Sequence, residues 1–132
     1  MRIISFAWTT PALIAGHKTC TRRDWRDDYA ARFEAGALVA AYDRSPRFKG
    51  RQVATIKLTQ NPYKESTADM PEDDWIAEGF AYMTYNGKQL KGLTPRQVWE
   101  TWRADPLELW VVRFELVEPE PSSAPGGEED ER

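Results

Sequence analysis

The chain has 132 residues and a net charge of −3, and its 41% hydrophobic and 12% aromatic content is enough for one core and one domain. One cysteine excludes an internal disulfide and a cysteine-built zinc site, and with one histidine no ordinary transition-metal constellation is available, so neither metal nor cofactor is expected. No apolar run is long enough to span a membrane and no secretory signal opens the chain, so a cytoplasmic protein is expected.

Residues 2–7 read as a first strand, with Trp8 at its end. Thr9-Thr10-Pro11 is a helix start, a hydroxyl followed by a proline whose missing N–H costs nothing there. Ala12 to Ala15 gives about one turn, and Gly16 suits a left-handed stop. The chemistry of the chain then concentrates between Gly16 and Trp25. This stretch holds the one histidine, the one cysteine and three cations, Lys18, Arg22 and Arg23, interleaved with Thr19 and Thr21. In an extended chain Thr19, Thr21 and Arg23 share one face, and Lys18, Cys20 and Arg22 the other. A turn just before the strand loosens that split and lets Lys18 reach towards Thr21. A cation beside a hydroxyl can hold an anion such as phosphate. A desolvated lysine that has lost its proton can instead activate the hydroxyl as a nucleophile. The same pattern also serves as a solvated basic strand edge that resists aggregation.

Asp24 is placed to cap a helix from Trp25 to Ala35, with Gly36 as its stop and Tyr29 and Phe33 on its buried face. Residues 37–42 form a short apolar strand. Asp43-Arg44-Ser45-Pro46-Arg47 and Lys49-Gly50 follow as a basic hairpin loop, either solvated turn charges or a phosphate contact. Residues 52–59 alternate as a half-exposed antiparallel strand, and Asn61-Pro62-Tyr63 breaks it. Residues 64–74 are polar. Glu72, Asp73 and Asp74 read as the solvated first turn of a short helix through Trp75, Ile76 and Ala77. Glu78 differs: flanked by Ala77, Gly79 and Phe80, a buried carboxylate there needs a cationic or hydrogen-bonding partner.

Tyr82 and Tyr85 precede the turn signal Asn86-Gly87. Thr94-Pro95 with Gln97 has the form of a capping box, opening a helix that buries Val98, Trp99 and Trp102. Residues 109–116 are the most strand-like segment. Residues 118–132 carry Glu118, Glu120, Glu128, Glu129, Asp130 and Glu131 against Arg132 alone, so this stretch is expected to be a disordered acidic tail and the body of residues 1–117 is mildly basic. Such a body permits a nucleic-acid or nucleotide partner, for which the tail is an internal competitor. Four or five strands with short helices between them point to an α+β fold, a small, mostly antiparallel barrel with short helices covering its openings.

The run Ile14-Ala15-Gly16-His17-Lys18-Thr19-Cys20-Thr21-Arg22-Arg23 resembles the Gly-x-Lys-Thr-x-Thr-x-Arg core of the ASCH domain family, a relative of the PUA RNA-binding fold. Glu78-Gly79-Phe80 after the central strands and Val111-Val112-Arg113-Phe114-Glu115 in the last strand are similar to later elements of that family, so the resemblance covers nearly all of residues 2–117. It implies a PUA-like barrel whose basic cleft takes RNA or a modified nucleoside or nucleotide. Some members are amidohydrolases that deacetylate N4-acetylcytidine. By that resemblance Thr21 is the nucleophile, Lys18 its base, and Glu78 a proton donor or orienting carboxylate. In a binding module of the same fold Arg22, Arg23 and Lys18 contact phosphate, and Trp8 or Trp25 stacks a base. The chain departs from those small hydrolases in its extra length around Trp75, Tyr82, Tyr85 and Trp99 to Trp102, and in Arg22, which stands where an apolar residue is often found. The added arginine favours a nucleotide or RNA strand over a free nucleoside. The alternatives are a non-catalytic reader of RNA or a modified base and, behind it, a metal-independent ribonuclease using Lys18 and Glu78.

Overall fold

The computed structural model describes residues 1–119. Six strands, β1 (Arg2–Ser5), β2 (Cys20–Arg23), β3 (Leu38–Tyr42), β4 (Gln52–Leu58), β5 (Tyr63–Ser66) and β6 (Glu108–Pro119), form one mixed sheet. Its order is β1-β3-β4-β6-β2, with β5 also on β6. Only β1 and β3 pair in parallel, Arg2 opposite Val39 through Ser5 opposite Tyr42; the other pairings are antiparallel. The long strand β6 bends the sheet. Its first part pairs β5 and β2 on opposite edges, so Val111 faces both Tyr63 and Arg22, and its second part pairs β4. One strand serving three partners along its length curls the sheet into a half-barrel.

The inside of the curl is filled by Ile4, Phe6, Leu13, Phe33, Val39, Ile56, Val112 and Phe114. Alternation of side chains along β4 delivers Ala54, Ile56 and Leu58 to this core, as its sequence pattern predicts. A second core lies outside the sheet, under short helices. It contains Met70, Phe80, Val98 and Trp99, with Trp8, Trp75 and Trp102 packed against it. The helices are α1 (Thr10–Ile14), α2 (Asp27–Ala30), α3 (Asp74–Ala77), α4 (Phe80–Tyr85) and α5 (Pro95–Ala104). The capping box that opens α5 is complete: Thr94 accepts from the Gln97 N–H and Gln97 accepts from the Thr94 N–H.

Several elements differ from expectation. The first strand ends at Ser5, because Ala7 takes φ +47° and swings the chain into a 3-10 turn over Ala7–Thr9. The expected helix 25–35 shrinks to α2, and Asp24 caps nothing: Trp25 stacks on Phe33 at 4.5 Å, and this packing is met by an extended lead-in at Arg26. Strand β5 lies inside the stretch read as polar loop; Tyr-Lys-Glu-Ser has no apolar alternation, and edge pairing to β6 holds it. Helix α4 has no signal in the sequence either, since it begins directly after Gly79 without a polar cap. Strand β6 runs past the expected boundary at 117, through Glu118 and Pro119; the rest of the expected tail lies outside the described residues.

Candidate functional site

The segment from Gly16 to Arg23 is set by its neighbours. Gly16 closes α1 at φ +81°, and residues 17–19 run irregularly into β2. There the Thr19 N–H donates to the Ala77 carbonyl at 2.8 Å, and the Thr19 carbonyl accepts from Phe114 N–H. The first bond ties Lys18 to the end of α3. Gly79 completes the junction at φ +90°. A Cβ at that position would stand 2.8 Å from Ala12 Cβ and 3.3 Å from Lys18 Cβ, so only glycine lets the Glu78-Gly79 backbone approach so closely.

Glu78 caps α3 and turns inward, 2% exposed. Lys18, also 2% exposed, donates its Nζ to the Glu78 carbonyl at 2.7 Å and to Glu78 Oε1 at 3.2 Å. Arg22 Nη1 donates to Glu78 Oε2 at 2.7 Å, and Cys20 Sγ lies 3.8 Å from the same oxygen. Lys18, Cys20 and Arg22 thus converge on one carboxylate from the face their spacing predicts. On the other face Arg23 donates its Nε to Thr21 Oγ1 at 3.1 Å and lays its guanidinium over the Phe6 ring, 5.2 Å from the centroid. Lys18, Thr21, Arg23 and Glu78 line a cleft of about 270 Å3 where the two cores meet, between Phe6 of the first and Phe80 and Trp102 of the second. Trp8 lines it too, packed at 5.5 Å on Phe80. So does Ala7, in a left-handed conformation that costs a non-glycine residue about 1–2 kcal/mol.

Two expected site residues stand differently. Trp25 is not in the cleft wall; it packs between Phe33 and Tyr29 against the inner core. Arg22 reaches the cleft, but its guanidinium is consumed by carboxylates: Glu78, Glu65 at 2.8 Å, and Asp74. Of its donors only Nε–H is without a protein partner among the described residues. An arginine holding three carboxylates adds no positive field for a phosphate, so the expectation that it makes the cleft phosphate-like lapses.

The largest correction is Asp74. Expected as a solvated first-turn acid, it is 3% exposed and takes a two-pronged bond from Arg113, at 3.0 and 2.9 Å, besides that from Arg22. Glu72 and Asp73 are exposed as expected. The available signal is spacing: Asp74 and Glu78 are one helical turn apart, so both face β2 when either does. Arg113, on β6, is steadied by Tyr63 through its Nε at 3.1 Å. Trp102 packs against the second core as expected, half-buried, and also borders the cleft.

Charge states follow from this burial. Desolvation pulls Lys18 below the ordinary lysine value of 10.5, outweighing the opposing pull of Glu78. Arg23 is brought down by desolvation to about 10, with Glu78 opposing. Cys20 is pushed up to about 12 by desolvation and by Glu78, so its thiol is inert. Burial also acts against the charged form of Asp74, yet Arg113 and Arg22 together hold its carboxyl below 3.8. Among the described residues no cluster of three or more His, Cys, Asp and Glu is placed to hold a metal, and no helix is long and apolar enough to cross a membrane.

The architecture is thus α+β, a curled mixed sheet with short helices beside a mixed-charge cleft. No family model matches the chain and no curated protein matches it. Among solved structures the fold is similar to that of protein EF3133 from Enterococcus faecalis V583, of family DUF984, with a TM-score of 0.52 and 18% identity over 89% of this chain and 76% of that one.

Proposed function

We propose that the cleft binds an acylated cytidine-like base and that the protein is an amidohydrolase of the ASCH type, with a PUA-like barrel as its scaffold. The observation that carries this reading is the meeting of Lys18, Thr21 and Glu78 in one aromatic-walled cleft, with the lysine's proton loosened by burial. At about 270 Å3 the cleft lies near the lower end of small-ligand pockets, which suits one base better than a strand. The DUF984 likeness agrees with it at the level of fold, since ASCH domains are related to DUF984-like folds.

In the proposed step Thr21 Oγ attacks the acyl carbon while its proton passes to neutral Lys18. Arg23 Nε, already bonded to Thr21 Oγ1, is the donor assigned to the oxygen that gains negative charge. Collapse of the tetrahedral intermediate breaks the C–N bond, and the Lys18 ammonium returns the proton to the leaving amine. Water then attacks the acyl-threonine and gives a proton to Lys18; the ester C–O bond breaks, Lys18 returns that proton to Thr21 Oγ, and the carboxylic acid leaves. Glu78, gripping Lys18 by carbonyl and carboxylate together, orients its Nζ throughout, as amine and as ammonium. Trp8 and Trp102 are the faces on which the base stacks.

The test is release of cytidine from N4-acetylcytidine, followed by chromatography. Thr21→Ala should lower turnover by on the order of a thousandfold or more while substrate still binds. Retained turnover removes threonine from the mechanism, and no turnover by the unaltered protein removes the amidohydrolase. A second reading rests on one feature: both Glu78 oxygens already hold cations, and no hydrogen bond joins Lys18 to Thr21 among the described residues. On it the same cleft reads a modified base without cutting it, and N4-acetylcytidine binds undegraded.

A further inference from the structure

The parallel pairing of β1 with β3 puts the C-terminal ends of both strands at one end of the sheet. From β1 the chain passes directly into the cleft wall at Ser5, Phe6 and Ala7, and Phe6 N–H is bonded to the Tyr42 carbonyl. From β3 it passes into the loop 43–51. The loop therefore leaves the sheet beside the lip of the cleft.

That loop is built, not slack. Asp43 N–H donates to the Arg51 carbonyl, and Asp43 Oδ1 accepts from Arg51 N–H at 2.8 Å. Ser45 caps the 3-10 turn Pro46–Phe48, Lys49 takes φ +65°, and Gly50 lies so close to the Arg44 carbonyl that a Cβ would stand 1.8 Å from its oxygen. Held on this frame, Arg44, Arg47, Lys49 and Arg51 carry their charges at the surface, and none forms an ion pair among the described residues. Between them stands Phe48, 67% exposed, with the Arg47 guanidinium 5.9 Å from its ring centroid. Phe48 belongs to neither core, and the cations around it form no ion pair among the described residues. Cations around an exposed aromatic are what single-stranded nucleic acid uses: phosphates meet the charges and an unpaired base stacks on the ring.

We propose that this loop is a second binding site, for a single-stranded nucleic acid whose neighbouring base enters the cleft. The inference rests on the reading of the cleft as a base pocket, and it makes the preferred substrate a base within a strand. The phosphate contacts expected at Arg22 belong, on this geometry, to the loop.

The test uses the full chain and two variants that leave the cleft untouched, Phe48→Ala and the triple change Arg44→Gln, Arg47→Gln, Arg51→Gln. Binding of a fluorescent oligouridylate is followed by anisotropy across a salt series, with a duplex of the same length and a polyglutamate peptide as competitors. Phe48→Ala should weaken binding of the single strand by about tenfold, the effect of removing one stacked base. The triple variant should flatten the dependence of log K on log salt by about 0.7 for each phosphate that the loop no longer neutralises. Hydrolysis of free N4-acetylcytidine should be unchanged in both. Binding by either variant equal to that of the unaltered protein overturns the site. Equal competition by polyglutamate overturns it too, pointing to an acidic protein partner, and equal competition by duplex removes the stacking role of Phe48. Failure of the base-pocket reading would show separately, as nucleoside left intact by the unaltered protein while the oligouridylate still binds through the loop.

Discussion

Lys18 is the residue on which the chemistry turns, and its protonation can be followed. Burial lowers its folded value below 10.5, so at intermediate pH the unfolded chain holds a proton that the folded chain has partly lost. Stability therefore rises with pH between the lowered value and 10.5, the reverse of the usual lysine partner effect. Turnover, if it needs neutral Lys18, rises with pH along a limb whose midpoint lies below 10.5. Lys18→Arg should abolish that limb together with most of the activity, and a limb that survives the change would place the base elsewhere. Asp74 acts at the other end. Its contribution is fully present above 3.8 and is lost as pH falls through its lower folded value. Glu78→Gln leaves Lys18 with no charged partner and should destabilise the fold by about 3 kcal/mol, near the lower bound for breaking a buried pair because Arg22 keeps Asp74 and Glu65. Urea denaturation measures it; a decrease under about 1 kcal/mol would refute the structural weight given to the Lys18–Glu78 pair.

At the scale of elements, the junction between α3 and α4 presents the carboxylates to β2. Asp74 opens α3, Glu78 ends it, and Gly79 makes the turn that seats both against Lys18 and Arg22. Gly79→Ala should cost about 2–4 kcal/mol, from the left-handed backbone and from overpacking against Ala12 together. It should also disturb the cleft, because the displaced backbone carries the Glu78 carbonyl that holds Lys18. Thermal unfolding and turnover measured on the same sample check this, and a stable, fully active Gly79→Ala protein would refute the role given to the junction. The helix α5, by contrast, is readable to its first hydrogen bond, since Thr94, Pro95 and Gln97 interact within one turn of chain. The final strand is equally readable in its centre. The weak elements, β5 and α4, are not, because their own residues carry no pattern and only pairing with β6 and packing under Trp99 hold them.

For the whole molecule, the end of β6 adds a constraint. Pro119 stands opposite Ala54, so β6 ends at the end of the sheet that carries Arg51 and the basic loop, and in sequence the acidic residues from Glu120 follow it. Anions tethered to that end are expected to compete with a polyanion for the loop. A chain ending at Pro119 should bind the oligouridylate several-fold more tightly at low salt, and the difference should fade as salt rises. Equal affinity of the two chains at low salt would remove the tail from that role. By itself the sequence determined what depends on neighbours along the chain: the α+β composition, the α5 cap, the alternation of β4, the split of Lys18, Cys20 and Arg22 from Thr21 and Arg23, and the isolation of Glu78 among apolar residues. Tertiary structure decided which charges meet. Asp74 and Arg22 face each other across 52 residues, and Arg113 arrives from the last strand. The same carboxylate that is a solvated helix start in sequence becomes the buried partner of two arginines once α3 packs on β2. Local spacing sets which face a side chain is on, but only packing sets what that face meets, because desolvation and ion pairing depend on distance in space and not on separation along the chain.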